Sequence, residues 1–364
     1  MKLVLKIKIL PTHEQRVLLL KTIEEANKAC AYISGIAWEN RVFSQFKIHH
    51  LCYEEVRKKF GLSAQMVVRC IGKVADAYKL DRKKKRDFES HGSICYDSRI
   101  LSYNESGISI WTVGKRQKIP FVCHAKERMS YAKGEADLVF RKDKFYLYQT
   151  IDIAEPELQG CNDVIGLDFG IKDIVCTSEG KTYSSDALNE YREKRLKIRG
   201  SIQSKGTRGC KKLLKRLSGR ERTTATIINH TISKEIVSDA KKRGMGLSVE
   251  DLRKIRQTSS QRNKAFRSKL NCWNYGQLRS FITYKCILSG VRLVIVNPSY
   301  TSQTCSYCHH IGIRRGKSFK CTNCGSDIDA DVNAARNIAQ LGVVVNQPEK
   351  SDMYSCLLHR AVQI

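Results

Sequence analysis

Four cysteines of this chain, Cys305, Cys308, Cys321 and Cys324, fall into two C-x2-C pairs with twelve residues between them. Two such knuckles present four thiolates at tetrahedral reach of one zinc ion. Ser306, Tyr307, Thr322 and Asn323 fill the knuckles, and Gly325 follows the second, as tight turns require. With all four positions taken by sulfur, no site is left open for water, so the expected role is structural.

Three acids form a second constellation. Asp168 lies near the end of the apolar run Val164 to Phe169, Glu250 ends the run Gly246 to Glu250, and Asp331 opens the stretch Asp331 to Ile338 that reads as a helix start. Each alone fits a salt bridge or a helix cap. Together they fit an RNase H-like sheet, in which the acid of the first strand lies beside that of the fourth and a last helix brings a third. Three converging carboxylates repel one another unless divalent cations lie between them. Two magnesium ions about 4 Å apart activate water and stabilise the leaving 3′ oxygen of a phosphodiester. Gly166 and Gly170 beside the first acid are expected to let a phosphate backbone approach closely.

The positioning elements are legible in part. Leu3, Leu5, Ile7 and Ile9 alternate with Lys2, Lys6 and Lys8 as in a half-buried strand, which Pro11 stops. Thr12 and Gln15 make a capping box, and Leu19, Ile23, Ala26, Cys30, Ile33 and Ala37 mark one face of a long helix. A further helix starts at Ser63, carries Val67, Ile71, Val74 and Tyr78 on one face, and ends in the basic run Arg82 to Arg86. From 91 to 158 the texture becomes β-like. Ile108 to Val113 and Ile119 to Cys123 flank a turn at Gly114, and Leu138 to Phe140 and Phe145 to Tyr148 flank Arg141-Lys142-Asp143-Lys144 as a hairpin. Ile171 to Thr177 reads as a strand, and so does Val291 to Val296. Residues 191 to 222 hold 13 Lys or Arg against two acids, Glu193 and Glu221, and Ile232, Ile236, Val237 and Ala240 extend a helical face behind them.

Composition narrows the class. The 364 residues carry 65 Lys and Arg against 36 Asp and Glu, a formal net charge of +29. Such an excess destabilises a compact chain unless a polyanion offsets it, and nucleic acid gains affinity from counterion release at each phosphate contact. No 18-residue apolar run and no secretory signal core is present, so a soluble, cytoplasmic protein without membrane contact is expected. The 15 cysteines are mostly scattered singly, as small buried hydrophobes in a reducing compartment rather than as a disulfide framework.

The runs IGLDFGIKDIV, GLSVEDL, YTSQTCSYC and CTNCGSDIDADVNAARNI resemble the TnpB family, transposon-encoded RNA-guided DNA endonucleases related to type V CRISPR effectors. The likeness is strong over 160 to 340 and less specific before that. It implies a RuvC-like triad at Asp168, Glu250 and Asp331 that binds magnesium, and zinc ligands at Cys305, Cys308, Cys321 and Cys324. Asp327 and Asp329 lie near the third acid, but the D-x-N-A-A run singles out Asp331. His309 departs from the family pattern, which often has Gly after the second cysteine.

The implied fold is α/β and multidomain: an RNase H-like (RuvC) nuclease domain with an inserted zinc ribbon, and an N-terminal β-barrel wedge module with an inserted helical recognition domain. The expected boundaries are 1–11 and 91–158 for the wedge, 12–90 for the helical domain, 159–300 and 326–345 for the nuclease, 301–325 for the ribbon and 346–364 for a tail. The implied activity is magnesium-dependent cleavage of double-stranded DNA at sites complementary to a transposon-derived guide RNA, next to a short flanking motif; the resemblance does not fix the oligomeric state, and a monomer is the expectation. By the same resemblance, the basic stretch Arg192 to Arg222 binds RNA or heteroduplex phosphates. Two other readings share the fold: a guide-directed repressor that no longer cuts, and a transposase acting directly on element DNA. Loss of an acid would mark the first, and all three are present. A His-hydrophobic-His pair would support the second, whereas His309 and His310 are adjacent and lie beside the knuckle.

Overall fold

The computed structural model describes residues 1–104, 107–132, 134–170, 173–184, 186–252 and 275–346. The chain forms two compact units, Met1–Ala154 and Glu155–Ile364. The expected tail at 347–364 and the start of the expected strand at Ile171 lie outside the described residues.

In the first unit, strand β1 (Lys2–Ile9) is followed by three helices, α1 (His13–Glu39), α2 (Gln45–Phe60) and α3 (Ala64–Leu80). The capping box is present: Thr12 accepts from the Gln15 backbone N–H, and the Gln15 side chain accepts from that of Thr12. Seven strands follow, β2 (Ile94–Tyr96), β3 (Leu101–Asn104), β4 (Gly107–Trp111), β5 (Arg116–Ile119), β6 (Phe121–Cys123), β7 (Ala136–Arg141) and β8 (Lys144–Asp152). They make a five-stranded sheet in the order β2-β7-β8-β1-β6 and a three-stranded sheet β3-β4-β5. Residues from both sheets and all three helices share one core, from Leu5 and Ile7 through Ile33, Val56 and Tyr78 to Leu147.

One expected strand is divided, and one helix was not expected. The run Ile119 to Cys123 is not one strand: Pro120 divides it, so that Ile119 pairs with Ile108 while Phe121 pairs with Ile9 in the other sheet. The helix α2 gave no clear signal of its own, because its buried stripe is only Ile48, Cys52 and Val56 among polar and aromatic residues. The hairpin at Arg141 to Lys144 is closed by Lys142 and Asp143, both at positive φ, as a two-residue turn matched to strand twist requires.

The second unit is built on strands β9 (Val164–Asp168), β10 (Asp173–Thr177), β11 (Thr182–Ser184), β12 (Gly246–Glu250) and β13 (Leu293–Val296), in the order β11-β10-β9-β12-β13. β9, β10 and β11 run antiparallel, and β12 lies parallel to both β9 and β13. The expected strand from Val291 is therefore shorter, starting at Leu293. Helices α4 (Asp186–Lys205) and α5 (Arg208–Lys242) follow β11, and α6 (Tyr275–Ser289) leads into β13. The cysteine knuckles, with β14 (Ile313–Arg315), β15 (Ser318–Lys320) and β16 (Asp327–Asp329), lie between β13 and the last described helix, α7 (Ala330–Asn346).

Period-two alternation divides the sheet residues between two faces. Ile165, Leu167, Leu247 and Val249 share a core with α5 and α6 residues such as Ile236, Val237, Leu278 and Ile282. The intervening residues face α7. A Cβ on Gly166 would stand 2.0 Å from the Ala335 carbonyl oxygen, and one on Gly342 would stand 2.5 Å from the Ser248 Cβ. The helix thus lies backbone to backbone on β9. Gly166 is glycine because α7 fills the space a side chain would need. A Cβ on Gly170 would meet the Asp173 carbonyl oxygen at 2.6 Å. The expectation that these glycines admit a phosphate backbone is replaced by internal packing.

Candidate functional site

The same alternation that puts Gly166 and Ser248 under α7 puts Asp168 and Glu250 on that face. The parallel register pairs Gly166 with Ser248 and Leu167 with Val249, so one step further along the strands Asp168 and Glu250 are side by side. Asp331, in the first turn of α7, comes to them across the sheet end. The three expected acids are therefore brought together. Phe169 and Tyr275 lock the strand ends that carry the first two: their rings meet edge to face at 5.2 Å, and the Tyr275 hydroxyl donates to the Glu250 carbonyl oxygen at 3.0 Å.

The electrostatics reflect the crowding. Burial pushes the Asp168 carboxyl up, the negative charges of Glu250 and Asp331 push it further, and it reaches about 7 despite the Arg314 guanidinium. Burial also raises Glu250, against the hydroxyl bond from Thr301 and the charge of Arg314. Carboxylate oxygens held together in a setting that resists their ionisation form the hard donor set that a divalent cation fits.

Several neighbours carry no signal in the sequence. Thr301 is buried and its hydroxyl donates to Glu250 Oε1. Arg314, the middle residue of β14, donates to Asp331 Oδ1 at 2.7 Å. Lys317 bonds Asp173, a fourth acid at the start of β10, and stands 4.0 Å from Asp331 Oδ2. The turn signal Arg315-Gly316-Lys317 was available, but the side on which the hairpin folds was not.

The four cysteine sulfurs lie within 4.8 Å of one another, with Cys305 and Cys324 at 3.7 Å and Cys308 and Cys321 at 3.4 Å. Zinc–sulfur bonds of about 2.3 Å in a tetrahedron set sulfur separations of roughly 3.8 Å, so the cluster fits one zinc ion. Among themselves the thiols are unequal. Burial opposes ionisation of Cys305, but bonds from Ser326 and from the backbone of Cys308 and Tyr307 bring it down to about 6. Cys321, although backbone bonds around Cys324 and Asn323 act to lower it, is pushed up to about 11 by burial and its neighbouring sulfurs. Four thiolates coexist there only with a cation among them. His309, at the place where the family often has Gly, adopts φ 61°, the left-handed conformation glycine takes without strain. The knuckle forms nonetheless.

Helices α4 and α5 carry the basic stretch. Lys211, Lys212, Lys215 and Arg216 are exposed, while Leu217 and Ala225 turn inward. Among the described residues, no helix is long and apolar enough to cross a membrane.

A family model described as the Cas12f1-like TNB domain matches residues 275–338, from α6 through the knuckles to α7. The TnpB-like protein MJ0751 of Methanocaldococcus jannaschii is 33% identical over 187 residues, covering 50% of this chain and 67% of that protein. A CRISPR-associated endodeoxyribonuclease Cas12f1 of Sulfoacidibacillus thermotolerans is 33% identical over 221 residues, 55% of this chain and 50% of its own. A protein of Escherichia coli K12 described as a putative RNA-guided DNA endonuclease, InsQ, is 28% identical over 200 residues, half of each chain. The chain thus spans two thirds of the first relative and about half of the other two.

Proposed function

The chain belongs to the TnpB family, and from that premise we propose that it is an RNA-guided, magnesium-dependent endonuclease that cleaves double-stranded DNA at sites matching a transposon-derived guide RNA beside a short flanking motif. The observation that carries this reading is the meeting of Asp168, Glu250 and Asp331 at one end of the β9–β12 pair, with the Asp168 carboxyl raised to about 7 by burial and by the other two. The strand order β11-β10-β9-β12-β13, three antiparallel strands and then two added in parallel, is that of an RNase H-like sheet and supports a RuvC-like site.

In this reading the three carboxylates would hold two magnesium ions, which would supply charge stabilisation for the attacking water and for the leaving 3′ oxygen. The chain's own residues fix the geometry. Thr301 fixes one oxygen of Glu250, the Phe169–Tyr275 contact holds the two strand ends in register, and Gly166 lets α7 come close enough to deliver Asp331. Arg314 and Lys317 neutralise part of the acid cluster, and as cations beside the reacting phosphate they favour its negative charge. The cysteine cluster, closed with four sulfurs, braces the chain between β13 and α7.

Sequence selection is assigned to a guide RNA. One relative, InsQ, is described as a putative RNA-guided DNA endonuclease, and a 364-residue chain with a net charge of +29 is suited to grip a heteroduplex by its backbone while base pairing reads the target. The α4–α5 pair offers exposed cations for those phosphates, and the first unit is assigned to the heteroduplex and the flanking motif. Sequencing the RNA that co-purifies with the chain, expressed beside its native flanking DNA, tests this assignment. One abundant species with a variable 3′ or 5′ segment is expected; a random sample of cellular RNA would contradict it.

A further inference from the structure

Helix α7 does more than carry Asp331. Asn333, Asn337 and Gln340 follow one another at steps of four and three, so they share one face of the helix. That face grips the loop of residues 301–306. Asn337 Nδ2 donates to the carbonyl oxygens of both Thr301, at 2.8 Å, and Thr304, at 2.6 Å. Asn333 Nδ2 donates to the Thr304 carbonyl at 2.7 Å, and its Oδ1 accepts from the Ser306 N–H at 2.9 Å. Gln340 Nε2 donates to the Ser306 carbonyl at 2.9 Å. Both asparagines are buried, Asn333 at 0% exposure and Asn337 at 5%. Burying a carboxamide costs free energy unless its hydrogen bonds are made, and an apolar residue would pack a helix against a loop at lower cost. What the amides add is a fixed backbone register.

The ends of the gripped loop give that register a purpose. At one end the hydroxyl of buried Thr301 holds Glu250, and at the other Cys305 enters the cysteine cluster. The helix that does the gripping starts at Ala330, one residue before Asp331. We infer that Asn337 and Asn333 are positioning residues that join the zinc knuckle, Glu250 and Asp331 into one mechanical unit, so that zinc at the cysteines and a divalent cation at the carboxylates bind cooperatively. The inference rests on the reading of Asp168, Glu250 and Asp331 as metal ligands. The zinc then acts on the acid site by setting the position of Thr304, which the amides relay to Thr301 and to the helix. Coupling of this kind is reciprocal.

The test uses the zinc-loaded full chain without nucleic acid, with Mn2+ as probe and the free-ion signal in electron paramagnetic resonance as readout. Asn337→Leu keeps the branched heavy-atom outline and removes both donors; Thr301→Val keeps the shape and removes the hydroxyl. Each is expected to weaken Mn2+ binding about tenfold, the scale on which partners of metal ligands act, while zinc content stays at one per chain. The double variant is expected to bind as either single variant does, because both break the same chain of contacts. Stripping zinc weakens Mn2+ binding by the native chain and has no further effect on Asn337→Leu. Native-like Mn2+ affinity in either folded variant, or losses that add in the double, would overturn the inference. Should Asn337→Leu fail to fold, Thr301→Val and the zinc-stripping arm on the native chain decide the matter. Mn2+ binding unchanged by Asp168→Ala would instead overturn the metal-site reading beneath it.

Discussion

Asp168 concentrates the cost of the site in one side chain. Its carboxyl is raised from an ordinary 3.8 to about 7, first by burial and then by Glu250 and Asp331. Because the folded value is the higher one, the acid destabilises nothing below pH 3.8, where it is neutral in both states. Stability is then lost as pH rises through about 7, by an amount on the order of a few kcal/mol. Chemical denaturation of the metal-free chain is expected to show stability falling between about pH 4 and about pH 7 and levelling off above that. Millimolar Mg2+ should restore much more at the alkaline end of that range than at the acid end; equal restoration at both would mean that the acids are not where the cation binds. Residue types and spacing made the three acids and four cysteines legible, since each stood in a recognisable local run. Thr301, Asn333, Asn337 and Arg314 lay in or beside the same runs and carried no such mark. Their chemistry consists of partners 17 to 51 positions away, which only the fold supplies.

Among the elements, the pairing of α7 with β9 is the contact on which the geometry depends. The Cβ of Gly166→Ala would overlap the backbone of α7 at Ala335 and Ala339, neither of which can rotate away. The substitution should lower stability by about 3 kcal/mol, at the upper end of ordinary overpacking, and should abolish cleavage by displacing Asp331. Denaturant titration together with a cleavage assay checks this, and a native-like Gly166→Ala would show that the helix does not set the position of the third acid. Periodicity predicted α1, α3, β9, β12 and the start of α7 because each carries a strong apolar stripe or run. It fails on α2, where only three buried residues are spaced between histidines and charges, and at Pro120, where a single residue sends one apolar run into two sheets. The reason for the glycine at 166 is not legible locally. Its closest neighbour is a helix 169 positions further along the chain, which no local pattern announces.

At the scale of the molecule, a net charge of +29 would be offset by a polyanion, and the proposed reading gives the exposed cations of α4 and α5 that role. Replacing Lys211, Lys212, Lys215 and Arg216 together by alanine should weaken guide RNA binding and flatten its salt dependence. The slope should fall by up to roughly 3 in log K per log salt, at about 0.7 for each phosphate that is no longer neutralised. An unchanged slope in filter binding would move the RNA elsewhere. Charge raises the expectation of a nucleic-acid partner before any element is assigned; which nucleic acid it would be is not written in charge. Whether these three carboxylates cut DNA under the direction of an RNA is decided on a supercoiled plasmid. The chain would be purified with its co-expressed guide and given Mg2+, with target and non-target plasmids in parallel. Linear product is expected from the matching plasmid alone, none without Mg2+, and none from Asp168→Ala although that variant still holds its RNA. Linear product from Asp168→Ala at the native rate, or equal cutting of both plasmids, would contradict the assignment.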